Sequence, residues 1–314
     1  MDTWIVFTIG AAFFQNLRSA LQKHIKGKLS TLGAAYSRFL YALPFSAVYL
    51  LVIHYTGDSA YPDPTSLFLF YCLLGGLSQI LFTVVLLWLF SFKSFAVGTT
   101  FSKLEVIMVA VLGALVIGDS LNTVAIIAIV ISSLGVLALS MGQNSLTVHN
   151  IASAFTHRTT FIGLLCAALL GGSVVFFRAA SLTLNHTNFV MGAAYTLFIS
   201  LVIQTVLMGV YIFFREPGQL GLMVKHWRPS MLVGLAGVLA SIGWFTAFTI
   251  QNASYVRALG QIELVFTFIA TVFFFKESEL NGQSTLSDTT SCTGCKTTTK
   301  GIHFRAHTSS PLLK

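Results

Sequence analysis

A chain of 314 residues that is 55% hydrophobic and only 9% charged, with a mean hydropathy of +0.81, carries well under half the charge of ordinary globular domains, roughly 25%. That excludes a cytosolic enzyme and a disordered chain; at about 20 apolar residues per bilayer crossing, it also leaves no room for a soluble catalytic domain. The net charge of +8 is scattered through short loops instead of gathering on one face, which excludes a nucleic-acid binder and marks the basic residues as topology signals.

Uninterrupted apolar runs follow in chain order: Thr3 to Leu21, Leu32 to Ile53, Leu67 to Phe90, Phe95 to Ile117 and Thr123 to Met141. A polar spacer with His149, His157 and Arg158 separates these from Phe161 to Leu184, Phe189 to Phe214, Pro229 to Ile250 and Tyr255 to Phe275. Each is long enough to span as a helix, the default because backbone groups in lipid must be bonded internally. The expectation is an all-α polytopic membrane protein with nine transmembrane helices. The first run is followed by lysines instead of a small-residue cleavage site, so it reads as a retained helix.

From Lys276 onward the chain turns to Ser, Thr, Lys and Gly, a composition that cannot bury enough apolar surface to order itself. Cys292 and Cys295 form a lone CxxC there, short of a zinc ligand set, while Cys72 and Cys166 sit inside apolar runs. No disulfide framework, metal site or cofactor is expected.

An internal repeat organises the runs. Gly33, Ala34, Ala35, Tyr36 recurs as Gly192, Ala193, Ala194, Tyr195; Arg18 then Glu105 recurs as Arg178 then Glu263; Asp119 after the fourth run has Glu277 after the ninth. The chain therefore divides into a five-helix unit over 1–141, a connecting loop over 142–160, a second unit of four helices over 161–277 and a polar tail over 278–314. Lys23, Lys26, Lys28, Lys93, Arg158, Arg215, Lys225 and Arg228 all lie in odd-numbered loops, which places those loops in the cytoplasm and the N-terminus outside. Five being odd, the second unit runs inverted relative to the first, the plan of many secondary transporters.

The segments Lys93 to Asp119 (KSFAVGTTFSKLEVIMVAVLGALVIGD) and Gln251 to Glu277 (QNASYVRALGQIELVFTFIATVFFFKE) resemble the fourth helix of each half of EamA-type permeases in the drug/metabolite transporter superfamily. That helix starts at a small-residue stretch, carries a Pro or Glu mid-span and ends at an acidic residue. The resemblance covers roughly Thr3 to Glu277 and implies a carrier of small solutes. Two departures stand out: family members usually have ten helices with a cytoplasmic N-terminus. Here the loop charges put it outside, and the apolar run expected after Glu277 is replaced by the tail. The abrupt switch suggests an altered reading frame or gene near Ser278, with a nine-helix relative as the alternative.

Glu105 and Glu263 fall near the middle of their runs, where a carboxylate costs roughly 2.5 to 3.5 kcal/mol or more. Each must be paired, protonated or facing water, and the functional expectation is binding of a proton or a cationic solute group; the structural alternative is a lock to an arginine. Arg18 and Arg178, near helix ends, can snorkel or act as symmetric partners gripping an anion or the glutamates. Lys103, beside Glu105, is a further candidate, whereas Arg38 and Arg257 are better read as snorkelling or locally paired. Tyr36, Tyr195 and Trp244 are candidates for an aromatic solute cavity. All eight histidines fall in loops or the tail, and no HExxH or nucleophile-elbow pattern occurs within the spans, so no catalytic residue is expected.

The expected function is a secondary-active carrier, an exporter of a small organic metabolite or drug-like solute, coupled to protons by alternating access in a bacterial inner membrane. Its expected partners are the solute, protons and the lipid bilayer, with a homodimer allowed and nucleic acid excluded. The rival classes are an intramembrane enzyme such as a lipid-modifying transferase, and a membrane scaffold without transport.

Overall fold

The computed structural model describes residues 2–25, 28–57, 59–89, 103–120, parts of 123–135 and 158–270. Most of the fifth run, the loop before Arg158, Lys93, Glu277 and the CxxC pair lie outside the described residues. These fall into one unit, Met1–Phe268, and the start of a second, Ile269–Lys314.

Every regular element among the described residues is a helix: α1 Thr3–Ile25, α2 Thr31–Leu40, α3 Ala42–Gly57, α4 Ser66–Leu89, α5 Glu105–Val116, α6 Arg158–Thr183, α7 Phe189–Arg215, α8 Gly218–Lys225, α9 Trp227–Ile250, α10 Ala253–Gly260 and α11 Glu263–Ala270. Among the described residues five stretches are long and apolar enough to cross a membrane: α2 with α3, most of α4, and α6, α7 and α9. Large apolar side chains such as Val48, Leu115, Val206 and Phe213 are more than half exposed. An outward surface of this kind suits lipid and would be a liability in water.

Two of the expected continuous runs are broken. The second divides at Tyr41 into α2 and α3, where Pro44 has no N–H to give the carbonyl of Leu40 and its ring crowds that carbonyl. The ninth divides at Gln261 and Ile262 into α10 and α11, without a proline. A short helix, α8, lies in what reads as a plain loop, and His54 belongs to the last turn of α3.

The helices of the two halves interleave. The first helix of one half lies along the third run of the other, α1 on α9 and α6 on α4, and the second-run helices α3 and α7 pack together. Likewise α5 packs on α6 and α10 on α1, so each contact has a counterpart with the halves exchanged. Close approach depends on small residues: a Cβ at Gly243 of α9 would lie 2.7 Å from the Phe7 carbonyl oxygen and 2.8 Å from Ala11 Cβ on α1. At Gly75 of α4 it would meet the Phe177 ring of α6 at 2.7 Å.

Cross-half contacts also close both ends of α7, a helix of 27 residues and about 40 Å at 1.5 Å per residue. At its C-terminal end the Ser30 hydroxyl, at the N-cap of α2, donates to Glu216 Oε2 at 2.6 Å, and the Ser30 N–H donates to Gln219 Oε1 at 2.9 Å. At its N-terminal end the capping residue Asn188 donates from Nδ2 to Ser59 Oγ at 3.0 Å, and His186 Nε2 donates to the Ala60 carbonyl at 3.0 Å. Each clasp joins the cap of one half's second helix to the loop that follows the second helix of the other half.

Candidate functional site

Glu105 and Glu263 are each the first residue of a helix that follows a turn. The backbone repeats around them: Ile107 N–H donates to the Leu104 carbonyl at 3.0 Å and Met108 to the same oxygen at 3.4 Å. In the second half Val265 donates to Ile262 at 3.0 Å and Phe266 at 3.3 Å. A helix start concentrates unbonded N–H groups and the positive end of the helix dipole, which favours a carboxylate there at a depth where it is otherwise costly. Glu105 is 2% exposed and Glu263 7%.

Their partners come from the opposite half. Lys103, two residues before Glu105, ion-pairs through Nζ with Glu263 Oε1. Arg257, on α10 before Glu263, ion-pairs through Nη2 with Glu105 Oε1. The two pairs differ in access: the Arg257 and Glu105 side chains are 5% and 2% exposed, whereas the Lys103 side chain is 31% exposed. Breaking a fully buried pair by removing one partner costs about 3–5 kcal/mol, so Arg257 and Glu105 fasten the halves together. In the Lys103–Glu263 pair the cation is partly exposed.

Gln15 on α1 completes the surroundings of Glu263. Its Nε2 donates to Glu263 Oε2 at 2.5 Å while its Oε1 accepts from Trp244 Nε1 at 2.9 Å. An indole N–H only donates, so Trp244 fixes the Gln15 amide with its NH2 toward the carboxylate. Asn16 Nδ2 adds a hydrogen bond to the Glu263 carbonyl at 3.3 Å. Lys103 thus occupies one oxygen of the carboxylate and Gln15 the other. Trp244, 6% exposed, stacks with Phe248 at a centroid distance of 5.7 Å and lies 4.7 Å beneath the Arg257 guanidinium, a cation–π contact. Gly260 makes room for it: a Cβ there would come 2.6 Å from Trp244 Cη2.

The other expected residues fall elsewhere. Arg178 faces Asp119, with Nε 3.3 Å from Oδ2, and donates from Nη1 to the Phe248 carbonyl at 2.5 Å and to that of Gln251. It thus closes the C-terminal end of α9 and does not touch the glutamates. Arg18 lies one turn beyond Gln15 on α1, with its stem against Gly237 of α9. The Tyr36 hydroxyl fits over Gly209 of α7, where a Cβ would be 2.6 Å away. Tyr195 packs near Phe68 at 5.8 Å and lines an apolar groove with Leu50, Tyr61 and Phe198. The structure thus gathers Glu105, Glu263, Lys103 and Trp244, and leaves Arg178, Tyr36 and Tyr195 outside that cluster.

Sequence reasoning passed over Gln15, which in one dimension is an ordinary polar residue, and set Arg257 aside as snorkelling or locally paired. Its burial at 4% places it inside the cluster instead. A signal was present: Arg257 sits in the same segment as Glu263, and a second ionisable group in one span rarely lacks a partner.

Residues 2–141 match the model of the EamA-like transporter family, which belongs to the drug/metabolite transporter superfamily. No curated protein matches the chain.

Proposed function

We propose that this integral membrane protein, whose first 141 residues carry the EamA-like match, is a secondary-active carrier of a small organic solute. Protons couple to the movement through Glu263, and the two halves are inverted copies that alternate access to a central site. The observation that carries this reading is the crossed pairing of Lys103 with Glu263 and Arg257 with Glu105 at the starts of α5 and α11. Discontinuous helices meeting near the membrane centre are where such carriers build their sites. The closed pair holds the halves in register, and the open pair is the exchangeable one: protonation of Glu263 releases Lys103, which then needs another partner or water. The clasps at the two ends of α7 are suited to open in turn, because each can break while the buried Arg257–Glu105 pair holds.

The test is solute-triggered pH change in proteoliposomes holding the purified chain, read with an internal pH dye across a metabolite panel under an imposed proton gradient. The wild type should respond to at least one solute, and Glu263→Gln should abolish the pH signal while inserting normally. No response to any solute, or an unaltered signal in the variant, would overturn the proton role.

A further inference from the structure

Two arginines lie close together, and the charge of Glu263 acts on Arg18 from beyond ion-pair distance. Arg18 of α1 and Arg38 of α2 converge on Gly237 of α9, where a Cβ would lie 3.4 Å from Arg18 Cδ and 3.6 Å from Arg38 Cγ. Arg38 is 8% exposed and Arg18 partly buried, with the Arg18 Nε enclosed and unbonded. Among the described residues neither is in an ion pair; Arg38 has only the Phe39 ring, 5.2 Å from its guanidinium carbon. The carboxylates of the cluster are already engaged, Glu105 by Arg257 and Glu263 by Lys103. Among the described residues four cations, Arg18, Arg38, Lys103 and Arg257, therefore gather around two carboxylates, and Arg18 and Arg38, which stand beside each other, hold neither in an ion pair.

Like charges side by side in a poorly hydrated interior repel, and each buried ion forfeits several kcal/mol of hydration unless it is compensated. A pair of planar guanidinium forks is the arrangement that binds carboxylate or phosphate oxygens bidentately. The position along α1 adds a direction: Arg18 lies between Gln15, which touches Glu263, and Gln22, which donates to the Ala34 carbonyl at 2.9 Å near the Ser30 clasp. An anion held there sits one helical turn from the exchangeable pair.

We infer that Arg18 and Arg38 form an anion-binding site, and that the solute carried is an organic anion bearing a carboxylate or phosphate group. The assignment of the ligand as cargo rests on the carrier reading above; the anion site itself does not. Protonation of Glu263 removes a carboxylate charge that acts on Arg18, so proton and anion occupy the protein together.

Binding is tested with the purified full chain in nanodiscs of phosphatidylcholine alone, by thermal unfolding followed through tryptophan fluorescence. Chloride is compared with phosphate, sulfate and succinate at equal ionic strength and pH. A saturable rise in unfolding temperature is expected with at least one of the three oxyanions. Arg38→Gln and Arg18→Gln should each raise the concentration needed about tenfold, the loss of one charge-assisted contact, whereas Arg215→Gln, at an exposed residue, should leave the response intact. The wild-type comparison stands even if a variant fails to fold, and Arg38→Lys, which keeps the charge and loses the fork, should weaken the response. No saturable rise with any oxyanion, or a rise unchanged in both glutamine variants, overturns the site. A rise seen only when phosphatidylglycerol is added makes it a headgroup site and overturns the solute role. An anion response without solute-triggered pH change keeps the site and rejects the carrier; pH change without an anion response does the reverse.

Discussion

Arg257 reaches out of the second half of the chain to Glu105, the first residue of a helix in the first half, and both side chains are almost wholly enclosed. Lys103 makes the converse contact with Glu263, from first half to second. This exchange of cations joins the halves at their polar centre, and it separates a closed pair from one with a partly exposed cation.

Removal of one member of the closed pair should be costly and removal of both much less so. Arg257→Met is expected to destabilise the protein by about 3–5 kcal/mol, leaving Glu105 uncompensated, and the double variant Arg257→Met with Glu105→Met to recover most of that loss. Thermal unfolding in nanodiscs measures both; equal destabilisation by the single and double changes would mean that the pair does not act as a unit.

The glutamates should behave differently. Glu263→Gln is expected to flatten the pH dependence of transport with normal membrane insertion, while Glu105→Gln lowers stability and leaves the shape of the profile alone. The opposite assignment would follow if the Glu105 variant lost its pH dependence and the Glu263 variant did not.

Close packing of α1 on α9 predicts a sharp contrast between two glycines. Gly243→Ala puts a methyl 2.7 Å from the Phe7 carbonyl oxygen and should cost about 1–3 kcal/mol through overpacking. Gly10→Ala, with nothing within 4 Å of its Cβ, should be neutral or stabilise α1 by up to about 1 kcal/mol. Unfolding temperatures of the two variants check this.

If the end clasps open alternately, tying either one shut should stop transport. Cysteines at Ser30 and Gln219, or at Ser59 and Asn188, joined by a bifunctional thiol reagent, are expected to abolish solute-triggered pH change, with the uncrosslinked pairs active. Full activity with both clasps crosslinked would exclude them as gates.

If the loop charges set the orientation, the N-terminus lies outside. In a chain with Cys292 and Cys295 changed to Ser, Asp2→Cys should react with an impermeant thiol reagent in intact cells and Lys28→Cys should not. Reversed labelling would turn the whole topology over.

The helical class, five of the apolar runs and the burial of Glu105 and Glu263 were legible in the sequence because they rest on local properties: hydropathy over about twenty residues and the high cost of charge in lipid. The offset linking Glu105 to Glu263 was legible too, since a repeat is a one-dimensional signal. Partnership was not. Lys103 and Glu263 are 160 residues apart, and nothing local to either tells which cation meets which carboxylate; only the interleaving of α1, α5 and α10 decides it. The break between α10 and α11 carries no proline to announce it, and Gly260 there shows its role only against the Trp244 ring. Tyr36 and Tyr195 match in sequence yet one fits over Gly209 and the other lines an apolar groove. Periodicity sets which face a residue occupies, while the neighbour waiting at that face is supplied by the packing of distant helices.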